Sequence, residues 1–270
     1  MGKTVACIIA RTVSTRLPLK IFRDLQPGVS MLEYLIQRVK SVKEIDEIYL
    51  CTSGEPADDI LEDVALRNDI KIYRGSADAV IERMLDVAEI ENADVLLRIT
   101  GDNPFASVEY LPQQIAFLKK EKLDYVRVID VPIGATIEVI ATYALKKCYA
   151  AMDPSVSEYL MLFIFEPEQY KCGILKAFAA DYSHYSVTVD TPDDLLRTRK
   201  VIGHLQKENG LILLKDIIAL YNDAAVTLPA KSIQAAGTIK LPYDKTISFA
   251  DFKADMDRRK AHSLSLEINE

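Results

Sequence analysis

The sequence predicts an α/β fold built on a doubly wound, mostly parallel sheet, and three observations predict it. Short apolar runs at residues 5–10, 47–52 and 94–100 have the length and composition of strands covered on both faces. Between them lie segments of about 10–15 residues with the 3.6-residue period of an amphipathic helix, the alternation that produces right-handed βαβ units. A chain of 270 residues with 49% hydrophobic content is also long enough to bury one large core.

The elements follow in order. Residues 5–10, Val-Ala-Cys-Ile-Ile-Ala, form the first strand. From Ser30 the period changes, placing Met31, Leu32, Leu35, Ile36 and Val39 on one helical face, with Ser30 and Glu33 as a capping box. A strand at 47–52, a helix over 58–68 and a short strand at 71–74 come next. Gly75 and Ser76 open a helix that turns Val80, Ile81, Met84, Leu85 and Ala88 inward, and 94–100 is a further strand. Beyond residue 120 the rhythm loosens. Strands are expected at 125–129, 136–140, 176–180 and 186–190, with helices at 143–152 and 157–165. Thr191-Pro192 starts a helix expected to reach Glu208, because proline favours the first helical position. Further helices are expected over 213–221 and 249–260, and the last ten residues are expected to be mobile.

Composition excludes several classes. The net charge is −7, so a nucleic-acid surface is not expected and any phosphate site must be local. No apolar run approaches the roughly 20 residues that span a bilayer, so no membrane partner is expected. Cys7, Cys51, Cys148 and Cys172 show no disulfide or zinc spacing and read as small buried hydrophobes in a reducing cytoplasm. His184, His204 and His262 lack metal-ligand spacing.

The chemistry concentrates where strands end. Directly after the first strand come Arg11, Arg16 and Lys20, with Ser14 and Thr15 between them. Guanidinium forks and a lysine point charge at the carboxyl end of a first strand suit a polyphosphate, although a solvated basic loop would read the same way. Asp102 follows the strand at 94–100 and stands on the same rim, where a hard carboxylate could hold magnesium or simply open a Gly-Asp-Asn-Pro turn. Asp190 follows another apolar run and precedes a helix led by Pro192, so N-capping chemistry is its other reading.

The spacing Ala10-Arg11-x-x-Ser14-Thr15-Arg16-Leu17-Pro18-x-Lys20 resembles the nucleotide signature of the cytidylyltransferase superfamily that makes CMP-activated sugars. It looks closest to the branch of spore-coat polysaccharide biosynthesis protein F, with CMP-sialate and CMP-KDO synthetases as more distant relatives. Arg98-x-Thr100-Gly-Asp102-Asn103-Pro104 and Val189-Asp190-Thr-Pro-x-Asp194 resemble two later motifs of that family, in the same order.

The resemblance implies a Rossmann-like sheet of the nucleotide-diphospho-sugar transferase type with a smaller mixed α/β acceptor and dimerisation region. Residues 1–225 would form that domain, with a nucleotide half over about 1–120, an acceptor half over about 121–225 and a C-terminal extension over 226–270. It implies a transferase moving CMP from CTP to an acidic or modified sugar for surface glycan synthesis, with Mg2+ on Asp102 and Asp190. Arg11, Lys20 and Asp102 would be catalytic. Ala10, Ser14, Thr15, Arg16, Thr52, Ser53, Arg74, Ser76, Asp78 and Thr100 would complete the nucleotide site. Asn103, Glu138 and Glu158 would face the acceptor, and Arg83 is either a recurring family arginine or a helix-surface ion pair. A homodimer is a further implication.

Four positions, Val13, Leu19, Ser157 and Tyr159, depart from the family pattern. Val13 and Leu19 stand where relatives carry glycine, and Ser157-Glu158-Tyr159 stands where they carry Arg-Glu-His. These leave open a nucleotide- or sugar-binding relative acting as a regulatory or scaffold subunit. A nucleotide-sugar glycosyltransferase is the other alternative, although Asp102-Asn103-Pro104 lacks the second aspartate of an Asp-x-Asp motif.

Overall fold

The computed structural model describes residues 2–206, 210–233 and 238–268. The first half runs β1 (Lys3–Ile9), β2 (Asp24–Gln26), β3 (Val29–Ser30), α1 (Met31–Lys40), β4 (Glu47–Ser53), α2 (Ile60–Arg67), β5 (Lys71–Gly75), α3 (Val80–Glu91), β6 (Ala93–Thr100) and α4 (Leu111–Glu121). The second half runs β7 (Tyr125–Ile129), β8 (Glu138–Ala141), α5 (Thr142–Ala151), α6 (Leu160–Ile164), β9 (Cys172–Lys176), α7 (Pro192–Leu205) and α8 (Leu214–Asn222). The extension contributes β10 (Thr238–Lys240), β11 (Thr246–Ser248), α9 (Phe249–Ala261) and β12 (Leu264–Glu267).

The main sheet has the order β12-β9-β7-β8-β6-β1-β4-β5. Only β8 runs antiparallel to its neighbours among the described residues, so the other strands deliver their carboxyl ends to one rim. The doubly wound, mostly parallel expectation therefore holds. The chain runs from β1 outward through β4 to β5, then returns to place β6 on the other flank of β1. The crevice at such a reversal is where open α/β sheets bind ligands. Both faces of β1 are covered: Val5, Ala6, Cys7 and Ile8 are fully buried, which is why the strand reads as a continuous apolar run.

Several second-half expectations need correction. The strand expected at 176–180 is β9, four residues earlier, because Gly173 is a close-approach position and not a strand breaker. A Cβ there would lie 2.5 Å from Leu123 Cδ1. Residues 186–190 are extended but form no ladder. They are held by the Val187 N–H donating to Ile133 O at 2.8 Å and the Val189 N–H donating to Asp102 O at 3.1 Å. The expected helix at 157–165 is a 3-10 segment, Pro154–Tyr159, followed by the short α6. The Thr191 capping box starts α7 as expected, but α7 ends at Leu205, and Glu208 lies outside the described residues. The tail does not hang free: β12 extends the sheet by pairing parallel with β9, Leu264 opposite Gly173 and Glu267 opposite Lys176.

Candidate active site

The loop after β1 is fixed from below by one buried carboxylate. Asp58, 2% exposed, accepts hydrogen bonds from the Thr12 N–H and the Thr12 hydroxyl, both at 2.8 Å, and from the Ser53 hydroxyl at 2.5 Å. Burial alone would raise the Asp58 pKa; these donors outweigh it and hold the carboxyl below its ordinary value. Leu17 is buried at the middle of the loop, so Arg11, Ser14, Thr15 and Arg16 stand above it on a cleft of about 630 Å³. Val13 is 73% exposed and closes nothing. Leu19 takes the left-handed conformation, φ 52° and ψ 36°, so the loop keeps a glycine-like backbone at a cost of about 1–3 kcal/mol. The departure from glycine at this position therefore leaves the loop's backbone path intact.

Lys20, next in the chain, carries the centre of the cleft. Its Nζ donates to Asp102 Oδ2 at 2.7 Å and Asp190 Oδ1 at 2.8 Å, and Arg16 reaches the same Asp190 oxygen at 3.0 Å. Burial lowers the ammonium pKa, but the charge and hydrogen bonds of the two aspartates outweigh it, and the net shift is upward. The two aspartates are 88 residues apart in sequence and meet because the Val189 N–H bonds the Asp102 carbonyl. Their oxygens converge on one cation. A hard oxygen pair of this kind fits Mg2+, which takes one or two protein carboxylates and completes its shell with phosphate oxygens and water.

Ten of the expected site residues line this one cleft: Ala10, Arg11, Ser14, Thr15, Arg16, Lys20, Thr100, Asp102, Glu158 and Asp190. Others stand elsewhere. Thr52 and Ser53 are buried, and Ser53 serves Asp58 from below the loop. Arg74, expected on the base and ribose side, instead ties β5 to α2, donating to Glu62 at 2.5 Å and Asp59 at 2.6 Å. Ser76 and Asp78 are exposed on the approach to α3, beside Ala77, whose carbonyl accepts from Arg11 at 3.4 Å. Asn103 donates to the Thr100 hydroxyl, and its Oδ1 has no hydrogen-bond partner. Glu138, expected to face the acceptor, is 6% exposed and accepts from Arg98 at 2.5 Å and the Tyr125 hydroxyl at 2.8 Å. Arg98 is the member of that pair that reaches the cleft.

Two residues left open in the sequence are placed by the structure. Arg83 is 1% exposed and lines the cleft, and none of its three guanidinium nitrogens has a hydrogen-bond partner. It is therefore no surface ion pair; burial, the largest influence, lowers its pKa. Its position among inward-facing Val80, Ile81, Met84 and Val87 on α3 was the available signal. Ser157 is fully buried, accepts from the Val80 N–H at 2.8 Å and donates to Asp78 O at 2.7 Å, so it caps α3 from a distant segment. All four cysteines are buried and free, and His204 is exposed.

The chain matches the cytidylyltransferase family model over residues 5–160. It is 32% identical over 232 residues to spore coat polysaccharide biosynthesis protein SpsF of Bacillus subtilis, covering 82% of this chain and 95% of that protein. It is also 29% identical over 134 residues to a 3-deoxy-manno-octulosonate cytidylyltransferase of Koribacter versatilis, about half of each chain. Among solved structures, a cytidylyltransferase from Leptospira borgpetersenii superposes with a TM-score of 0.78 at 24% identity, over 87% of this chain and all of that one. A CMP:2-keto-3-deoxy-manno-octonic acid synthetase solved with CTP superposes at 0.60 and 16% identity, over 75% of this chain. With a cationic loop and paired aspartates on one rim, and with these matches, the chain belongs to the cytidylyltransferase family.

Proposed function

We propose that this enzyme transfers CMP from CTP to an acidic or modified sugar, releasing pyrophosphate, with Mg2+ as its cofactor. The observation that carries the reading is the convergence of Lys20, Asp102 and Asp190 at the carboxyl rim of β1 and β6. Arg11, Arg16 and Arg83 neutralise the triphosphate, while Lys20 leaves its aspartate pair to meet the phosphate charge. Mg2+ held by Asp102 and Asp190 would stabilise negative charge on the phosphate oxygens. The acceptor oxygen forms its bond to the α-phosphorus as the bond to pyrophosphate breaks. The protein's part is positioning and electrostatic stabilisation, by analogy with other phosphoryl transfers. Arg98, fixed by Glu138, and Glu158 lie on the acceptor side.

Residues 1–225 would hold both substrates, the nucleotide over about 1–120 and the acceptor over about 121–225, with 226–270 as an extension and a homodimer as the working form. Free buried thiols fit a cytoplasmic enzyme, and no helix among the described residues is long and apolar enough to cross a membrane.

Calorimetry with CTP, UTP, GTP and ATP, each with magnesium and with EDTA, tests the reading. Selective magnesium-dependent CTP binding that falls at least tenfold in Asp102→Asn is expected. Equal binding of all four nucleotides, or binding indifferent to EDTA and to the substitution, would overturn it.

A further inference from the structure

A second chamber stands along the same rim, where β7 ends and α9 of the C-terminal extension closes over it. It encloses about 270 Å³. Its walls are largely apolar, with Met161 and Phe165 on one side and Phe249, Phe252 and Met256 from α9 on the other. Most charges at its edge are answered locally. Lys260 bonds Asp130 at 2.9 Å and Asp257 at 2.6 Å, and Lys253 bonds Asp181 at 3.0 Å.

Arg127 is the exception. Its guanidinium rests on the Phe165 ring, 5.3 Å from the centroid, and neither Nε nor Nη1 has a hydrogen-bond partner. The neighbouring carboxylate cannot serve it. β7 and β8 pair with Val126 opposite Val139, which brings Arg127 beside Glu138. Glu138 stands opposite Arg98 in β6, accepts from Arg98 on Oε2 and from Tyr125 on Oε1. One carboxylate therefore lies between two guanidinium groups, and one positive charge is left uncompensated. Arg127 is half-buried, with two guanidinium nitrogens out of water and unpaired, and an anion entering the chamber offsets that cost.

The row Arg98–Glu138–Arg127 also joins the two cavities. Arg98 lines the cleft that holds Lys20 and Asp102, and Arg127 lines the chamber. Gly134, which has φ +90° and lines the chamber, packs closely on the segments that carry Asp102 and Asp190: a Cβ there would lie 2.9 Å from Asn103 Oδ1 and 2.6 Å from Thr188 Cγ2. Those two residues neighbour the metal-candidate aspartates at 102 and 190.

We propose that this chamber binds a small organic anion, its carboxylate against Arg127 and its apolar part beneath α9. Resting on the transferase reading, it is the subsite for an acidic acceptor that carries an apolar substituent. The C-terminal extension is then a specificity element.

Calorimetry with hexanoate and its neutral counterpart hexanamide tests the assignment on the full chain. Hexanoate is expected to bind one per chain and roughly tenfold more tightly than hexanamide. Arg127→Gln should erase that preference, Arg127→Lys should restore part of it, and Met256→Trp should fill the space and abolish both. Thermal unfolding checks that each variant is folded. Saturating hexanoate should leave CTP affinity unchanged. Equal binding of acid and amide, an unaltered preference in Arg127→Gln, or displacement of CTP by hexanoate would overturn the assignment. If hexanoate behaves as expected while no nucleotide binds, the transferase reading falls and the anion chamber stands.

Discussion

The rim over β1 and β6 and the rim over β7 solve the same problem differently. On the first, the cations come from one contiguous loop, 11–20, and meet two aspartates that close a compact network around Lys20. On the second, a single arginine from the middle of a strand faces apolar residues delivered by α9, more than 120 residues later. The difference separates what must be common from what must be particular. A triphosphate presents the same charges whatever the acceptor, so under the proposed function a short loop fixed by Asp58 would suffice to meet it. An acceptor has an individual shape, and on the proposed reading its walls would be drawn from whatever elements the fold can bring together.

Substitutions can break or sharpen this contrast. The largest effect is expected at Arg83, whose three buried nitrogens have no hydrogen-bond partner and which the proposed function sets against the nucleotide. Arg83→Met should weaken CTP binding about tenfold to a hundredfold while leaving stability unchanged or raised by about 1 kcal/mol, because an unpartnered buried charge is replaced by an isostere of similar volume. Calorimetry and denaturant unfolding read the two effects separately. Loss of stability together with unchanged CTP affinity would make Arg83 a structural residue.

Next in size is Asp58→Ala, which strands the Thr12 N–H and the Ser53 hydroxyl and leaves the Thr12 hydroxyl only the Ala57 carbonyl. A loss of about 2–3 kcal/mol is expected in urea unfolding. The folded-state pKa of Asp58 is depressed, so its contribution is complete above the unfolded value near 3.8 and is lost as pH falls through the lower folded value. The stability difference between wild type and Asp58→Asn should therefore shrink only in strong acid. A difference that instead vanishes near neutrality would contradict the assignment.

The smallest effect is at Leu19. Glycine at φ 52° relieves strain but loosens the unfolded chain, so Leu19→Gly should raise stability by about 1 kcal/mol or less, with CTP affinity nearly unchanged. A marked fall in either would show that the leucine side chain supports the loop.

The same contrast explains what was legible in the sequence. Strands β1, β4 and β6 could be placed within a residue or two, since a strand buried on both faces is written in consecutive residues. The cationic loop at 11–20 and both aspartates stood out for a related reason: each is a local motif at the end of an apolar run. β9 was displaced because Gly173 reads as a breaker until the close approach of Leu123 is seen. β12 was missed because its residues are mostly exposed and acquire a strand identity only by lying beside β9. Glu138, Arg74 and Ser53 are polar residues at family-like positions, yet their partners are Arg98, Asp59 and Asp58, and no spacing rule discloses whether a polar residue faces a ligand or another side chain. Arg127 carried no motif at all, and its significance lies in the absence of a partner.

The central claim is that Asp102 and Asp190 act on one ion, and a double-mutant cycle on CTP binding tests it most directly. Asp102→Asn, Asp190→Asn and the double variant would be titrated with CTP at saturating magnesium and again in EDTA. If the two carboxylates share one Mg2+, each single variant loses the magnesium-dependent part of binding and the double variant loses no more than either. Losses that add, or a magnesium dependence that survives in the double variant, would contradict the account.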